Sequence, residues 1–318
     1  MNARSSAKGA RGIDVSSAGR RRMLLAASAV PLCAIAGRAA AAPRAARIAS
    51  LSWTGTDVLL SIGATPAAVA DKSRFNDLSI DARQHVPASC LELGLVAQPN
   101  LEALAQSKPD LIVADYNQQR VLDELRTIAP VFYLDIYRGA GGDIYARTRR
   151  ETLRLAGAIG LGDRARATVS AVEADLDACR QTVRSLSRVP PVLIAQLFTD
   201  GRHLNVYGRD TLVQDVMDRI GVRNAWRGAT PIGHVTTLGI ADLADLPEVQ
   251  LFYLSDNLYS PIALRNLGRS ALWRRLPFVR QHQFAPLTRF YAFGGLQSAR
   301  RFAGELSSAL VRINARYG

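Results

Sequence analysis

Along this chain, short uninterrupted apolar runs alternate with stretches in which apolar residues recur every three or four positions. The runs at 47–53, 67–70, 110–114 and 131–136 read as strands, and the periodic stretches at 54–62, 101–107 and 121–128 as helices. Pro109 and Pro130 mark the turns into the last two of those strands. Between 72 and 89 the chain is polar and irregular, and no element is predicted there. Gly139-Ala140-Gly141-Gly142 lacks the G-x-G-x-x-G spacing of a dinucleotide loop and reads as a hinge or loop. A helix over 143–159 follows, with Asp143 as its N-cap, and after Gly160-Leu161-Gly162 a second helix reaches to about 186.

A second unit begins with a hairpin signal: a strand at 192–198, a turn at Asp200-Gly201 and a return strand at 203–207. Helices at 211–220 and 240–246, a strand at 249–254 and a last helix at 297–313 complete it. Strands alternating with helices predict a parallel α/β layer in the first half, and the second reads as another α/β unit. The halves also echo each other. Leu101-x-x-Leu104, Pro109 and the run to Asp115 match Ile240-x-x-Leu243, Pro247 and the run to Asp256. Each ends with an Asp at the carboxyl end of a strand, where ligands gather in such sheets.

The first 42 residues follow a different pattern. A polar, basic stretch ends in Arg20-Arg21-Arg22, an apolar run goes from Met23 to Ala36, and small residues fill 39–42. That order predicts a secretory signal cut near Ala41. The run is about 14 residues and holds Pro31, short of the roughly 20 that span a bilayer. Arg20-Arg21-x-Met23-Leu24-Leu25 resembles a twin-arginine export motif, with Gly19 where Ser or Thr is usual, so a periplasmic destination is expected. Pro31 and Leu32 precede Cys33 where a lipoprotein site wants small residues.

Composition adds bounds. With 48% hydrophobic and 21% charged residues, the 318-residue chain has ordinary globular make-up. Two globular units are expected at roughly 100–200 residues each. Three cysteines exclude a disulfide-built scaffold, and Cys90 and Cys179 lie far apart. The net charge of +13 suggests a polyanionic partner until it is divided. Residues 1–42 hold seven basic residues against Asp14, so the export segment carries +6 and the remainder +7. The remaining cations look dispersed along the sequence, which argues against nucleic-acid binding.

Catalytic signatures are missing. The four histidines, His85, His203, His234 and His282, show no i, i+4 pairing, and no H-E-x-x-H, G-x-S-x-G, phosphate-loop or C-x-x-C motif occurs. No catalytic residue and no protein-bound metal are predicted. An exported two-lobed α/β chain of this kind reads as a binding protein rather than an enzyme.

The more specific patterns lie in a fixed order. They are Arg47-Ile48-x-x-Leu51-x-Trp53, Gly94-Leu95-x-x-x-Pro99-Asn100-Leu101-Glu102 and Lys108-Pro109-Asp110. In the second half come Asp200-x-Arg202-His203, Asn224-Ala225-Trp226-x-Gly228 and Leu272-Trp273 with Leu276-Pro277-Phe278-Val279-Arg280. In this order, from about Arg47 to the end, the chain resembles the iron–siderophore class of periplasmic substrate-binding proteins of ABC importers, most nearly the ferric-hydroxamate binders. The resemblance implies a class III architecture: two α/β lobes, 43–142 and 161–318, joined by a single long helix over 143–160, with the ligand cleft between them and little closure on binding. It implies a monomer that takes up a ferric siderophore and delivers it to an inner-membrane permease with its ATPase. It places permease docking at Glu102 and, beside Ala241 where the usual acidic position falls, at Asp242.

At several positions the chain departs from the hydroxamate pattern. Val96 replaces an Arg, Gly233 and Arg289 replace two pocket Trp residues, and Gln118 replaces a pocket Tyr. The ligand-contacting set expected here is Arg289, Tyr116, Gln118, His234, Trp53 and Tyr291, with Arg74, Tyr207 and Arg209 behind them. A guanidinium among aromatic rings suits an anionic, oxygen-rich chelate, such as a carboxylate or catecholate ferric complex. Iron would arrive inside the chelate, with no cofactor of the protein's own. Two alternatives stand beside this. A haem or cobalamin binder of the same fold could use Tyr116 or His234 as axial ligand, and an exported enzyme would need a Ser or Cys hydrogen-bonded to His in the cleft.

Overall fold

Leu51, Ile112 and Val113 are fully enclosed, because the parallel strands of the first sheet have helices on both faces. That sheet contains β1 (Ile48–Ser50), β2 (Ala68–Val69), β3 (Leu91–Glu92), β6 (Leu111–Ala114) and β7 (Val131–Tyr133), paired in the order β3-β2-β1-β6-β7. Beside it, β4 (Gly94–Leu95) and β5 (Gln98–Pro99) form a small antiparallel hairpin. The connections carry α1 (Trp53–Ser61), α2 (Lys72–Leu78), α3 (Leu101–Gln106) and α4 (Leu122–Ile128). This computed structural model describes residues 46–78, 84–137, 142–228, 230, 235–246, 248–256 and 258–317; the export segment, most of the glycine-rich loop, Gly233 and His234 lie outside them.

The second sheet pairs in the order β10-β9-β8-β11-β12, from β8 (Val192–Leu197), β9 (His203–Val206), β10 (Thr236–Gly239), β11 (Gln250–Ser255) and β12 (Phe284–Thr288). β8, β11 and β12 run parallel, and β9 is antiparallel to both of its neighbours. Its helices are α7 (Leu212–Ile220), α8 (Tyr259–Arg269), α9 (Ala271–Arg275), α10 (Pro277–Arg280) and α11 (Leu296–Tyr317).

Between the sheets the chain passes through α5 (Ile144–Ala158) and α6 (Gly162–Arg184), turning at Gly160 with φ 74°. Asp143 caps α5, its Oδ1 accepting the Ala146 N–H at 2.8 Å. The start of α5 is also held to α7, where Asp215 accepts the Tyr145 N–H at 3.0 Å, and its end packs Ala156 against Ile62 after α1. One core then runs through both halves, joining Val58, Leu59 and Val113 to Val192, Ile194, Phe252 and Phe302. A shared core of this kind opposes wide opening of the halves.

Three sequence expectations change. Part of the polar stretch 72–89 is helical, because Phe75 anchors α2 in a pocket with Val69, Val86 and Cys90. The expected helix at 240–246 is a series of turns: only Ile240 and Leu243 are buried, and Asp242 accepts the Gly239 N–H at 2.8 Å. The strand expected at 131–136 stops at Tyr133.

Candidate functional site

The loops that leave the carboxyl ends of the two sheets carry the candidate side chains. Ser52, just past β1, accepts the Gly55 N–H at 3.0 Å and so caps α1, which fixes Trp53 in its first turn. Past β6, Asp115 accepts the Asn117 N–H at 2.9 Å, while Gln118 Oε1 accepts the Asp115 N–H at 3.1 Å. This reciprocal cap sets Tyr116 at the head of a 3-10 turn over Tyr116–Val121. The chain past β12 brings Arg289, Tyr291 and Phe293 back toward the first half.

These loops meet in a chain of aromatic rings. Trp53 and Tyr291 pack edge to face at 5.4 Å, Tyr291 and Phe293 at 6.2 Å, Phe293 and Tyr137 at 5.8 Å, and Tyr137 and Tyr116 at 6.5 Å. Tyr207, past β9, touches Phe293 at 6.3 Å. Rings from both halves thus form one surface. Trp53, Tyr116, Tyr291 and Phe293 are only partly buried, so part of that surface is accessible. The Trp53 indole N–H is enclosed and has no hydrogen-bond partner among the described residues.

Two cations border the rings. The Arg74 guanidinium carbon lies 5.8 Å from the Trp53 ring centre. Arg289 is 35% exposed, and its Nη1 is 4.0 Å from Asp256 Oδ2. Asp256 is fixed by its other oxygen, which accepts the N–H groups of Leu258, Tyr259 and Ser260 and caps α8. A cavity of about 440 Å³ opens beside Arg289, lined also by Asp77, Ser255, Asp256, Thr288 and Arg312. Arg209 is exposed on the loop past β9.

Burial pushes the phenols of Tyr137 and Tyr291 well above the usual tyrosine range. It also raises Tyr116, helped by the neighbouring Asp115 charge, and Tyr207, against the opposing pull of Arg289. All four phenols therefore stay neutral. Tyr137 donates to the Gly294 carbonyl at 2.9 Å, tying the first half to the loop of the second.

Gln118, expected among the ligand contacts, is engaged by the scaffold. It is buried, and its amide nitrogen donates to the carbonyls of Leu51 at 3.0 Å and Val96 at 2.8 Å. With its oxygen in the reciprocal cap, the Gln118 side-chain amide makes three hydrogen bonds to the scaffold. Glu102 is exposed in the first turn of α3 and accepts from Gln106 Nε2 at 3.2 Å. Asp242 is also exposed, with one oxygen occupied by its turn.

Tyr137, Phe293 and Asp57 belong to this region and were not singled out from the sequence. Asp57, inside α1, accepts the Gly295 N–H at 2.5 Å and the Ser298 hydroxyl at 3.2 Å, so a carboxylate of the first half caps α11 of the second. Burial raises its pKa, and those hydrogen bonds pull it down. Gly294 and Gly295 permit the approach: a Cβ on Gly294 would run into the Ser298 side chain, and one on Gly295 would lie 3.0 Å from Val58. The visible signal was a lone carboxylate within the apolar run of α1.

Two α/β halves, one with a parallel and one with a mixed sheet, a shared core and a loop-built surface between them define a two-lobed solute-binding protein. The chain belongs to the periplasmic binding protein family, which matches residues 48–289. It is 30% identical over 299 residues to the iron(3+)-hydroxamate-binding protein FhuD of Escherichia coli (strain K12), covering 92% of this chain and 96% of that protein. It is 28% identical over 245 residues to the achromobactin-binding periplasmic protein of Dickeya dadantii (strain 3937), covering 74% of this chain and 76% of that one. Among solved structures, Fe3+-Desferal-bound FhuD of Vibrio cholerae superposes with a TM-score of 0.77 at 22% identity, covering 85% of this chain and 99% of that one. The triscatecholate siderophore-binding protein FeuA of Bacillus subtilis superposes with a TM-score of 0.67 at 16% identity, covering 84% and 92%.

Proposed function

We propose that this protein captures a ferric siderophore in the periplasm and hands it to the permease of an ABC importer for iron uptake. The observation that carries this reading is the ring surface shared by both halves, bordered by Arg289 and Arg74. Flat aromatic faces cover the carbon framework of a chelate, and a half-exposed guanidinium bonds its outward oxygens. Two cations beside neutral phenols favour a ferric complex that keeps negative charge, as carboxylate and catecholate chelates do. The full-length likeness to FhuD supports the transport role. Export by the twin-arginine route, a carrier role without enzymatic turnover, action as a monomer, and permease contacts through Glu102 and Asp242 belong to the same proposal.

The haem alternative is the weaker one. It would need Tyr116 or His234 as an axial ligand, whereas the 30%-identical full-length relative is an iron(3+)-hydroxamate-binding protein. Tryptophan fluorescence distinguishes the two, because Trp53 lies in the ring surface. Titration with a panel of hydroxamate, catecholate and carboxylate ferric complexes should quench emission saturably with at least one, and Trp53→Phe should reduce that quench. A Soret band on mixing with haemin, with no response to any ferric chelate, would reverse the assignment.

A further inference from the structure

The basic excess has a location that the chain's apparent dispersal of cations conceals. Between Asp256 and Glu305 there are eight arginines, no lysine and no acidic residue. That segment alone holds +8, so with the export segment removed the rest of the chain is near −1. Five of the eight, Arg265, Arg269, Arg274, Arg275 and Arg280, lie on α8, α9 and α10, and all five are exposed. None of the five reaches a carboxylate within ion-pair distance among the described residues. The nearby acids are engaged elsewhere: Asp256 caps α8, and Asp200 holds His203 at 2.6 Å.

The same helices, with Leu258 just before α8, expose apolar side chains. Leu258 is 62% exposed, Tyr259 54%, and Ile262 and Leu272 39% each, although Ala263, Leu267 and Trp273 of these helices are buried in the core. Leu258, Ile262, Arg265 and Arg269 recur at helical spacing, so they share one side of α8 and its leading residue. One outward stripe is therefore apolar at its start and cationic at its end.

We propose that the α8–α10 face binds an anionic lipid surface. Guanidinium groups pair with phosphate oxygens in bidentate fashion, and aliphatic and aromatic tips enter the boundary between headgroup and acyl chain. Exposed helices with cations unpaired among the described residues fit a fluid, planar array of phosphates, which needs no matching groove. In the periplasm such a contact would hold the protein near the membrane that carries its permease. The lipid contact itself does not depend on which ligand the cleft takes.

Co-sedimentation with vesicles tests this. The full chain is mixed with phosphatidylcholine vesicles, with or without phosphatidylglycerol. A parallel series carries Arg20→Ser, Arg21→Ser and Arg22→Ser to remove the export segment's own attraction. Both series should bind only the anionic vesicles, with affinity falling as salt rises. Each arginine near the surface is worth about 1 kcal/mol, about fivefold, so Arg265→Gln, Arg269→Gln and Arg275→Gln together should weaken binding roughly a hundredfold. Leu258→Ser with Ile262→Ser should weaken it further in high salt. Thermal unfolding of the variants should match the parent, because all these side chains are exposed. Equal binding to both vesicles, binding lost with the leader arginines alone, or binding unchanged in the triple Gln variant overturns the proposal. So does absence of vesicle binding combined with loss of binding to the detergent-solubilised permease in that variant, which would assign the face to a protein.

Discussion

Asp57 offers the most direct test of how the halves are joined. Its carboxyl lies in α1, is enclosed, and accepts from Gly295 at 2.5 Å and Ser298 at 3.2 Å at the start of α11. Asp57→Ala removes a helix cap worth about 1 kcal/mol and leaves two buried donors short of a partner, each costing about 1–3 kcal/mol before relaxation. After partial relaxation a loss of about 3 kcal/mol is expected, a fall of roughly 6–12 °C in Tm for a chain of this size. Asp57→Asn keeps an acceptor and the volume while removing the buried charge, so its loss at neutral pH should be less than about 1 kcal/mol. The pH dependence separates the two effects. Burial holds the folded pKa above the ordinary 3.8, so the folded state binds the proton more tightly than the unfolded state. This contribution is present below the unfolded pKa and is lost as pH rises through the folded one; Asp57→Asn should remove that decline. Thermal and urea unfolding between pH 4 and 8 provide the assay. The reasoning fails if the Ala and Asn variants are equally stable, or if the Asn variant keeps the parent's pH profile.

Three further outcomes are expected. Arg289→Ala should weaken binding of an anionic ferric chelate about five- to thirtyfold, because a half-exposed charge-assisted hydrogen bond contributes about 1–2 kcal/mol; fluorescence titration checks this, and unchanged affinity would remove Arg289 from the site. Glu102→Ala should leave that affinity unchanged and lower uptake of radiolabelled iron chelate in cells, whereas normal uptake would free Glu102 of docking. Asp215 is pushed up to about 7, first by burial and against its hydrogen bond from Tyr145. Its contribution to stability should decline between about pH 4 and 7, and Asp215→Asn should flatten that part of the curve in unfolding measurements.

Much of the scaffold was readable where one force acted alone. The runs ending at Ala114 and Leu254 are buried on both faces, so their composition announces strands. The end of the second sheet was not readable in this way. β12 contains Pro286, which reads as a break, yet it sits at the sheet edge where the missing N–H costs no ladder bond. β10 reads Thr-Thr-Leu-Gly and also forms an edge, so only Leu238 is buried. In the candidate site, Trp53, Tyr116, Tyr291 and Arg289 could be singled out because they stand at the ends of predicted strands or in a matched loop. Tyr137 and Phe293 lie in loops without periodicity, and only the fold brings their rings to 5.8 Å. Asp115-x-x-Gln118 is a capping-box spacing, and that local pattern accounts for the bond from Gln118 back to Asp115.

The echo between the halves takes on a physical meaning at its two terminal aspartates. Asp115 closes β6 and caps the turn that carries Tyr116; Asp256 closes β11 and caps α8. Both carboxylates do the same scaffold work, so the repeated helix–proline–strand–Asp pattern describes how each half is built and says nothing about the ligand. In the proposed site, discrimination would rest on what each aspartate holds in place: a neutral phenol on one side, and on the other a guanidinium 4.0 Å from its second oxygen. The phenol is locked into the ring chain, whereas Arg289 is loosely paired, about one-third exposed and carried on a loop. If Arg289 contacts the chelate as proposed, substitution at 289 would change the charge of the accepted chelate while the cap of α8 stays intact. Substitution at 256 would disturb the cap and the cation together, so of the two positions only 289 can vary without cost to the fold.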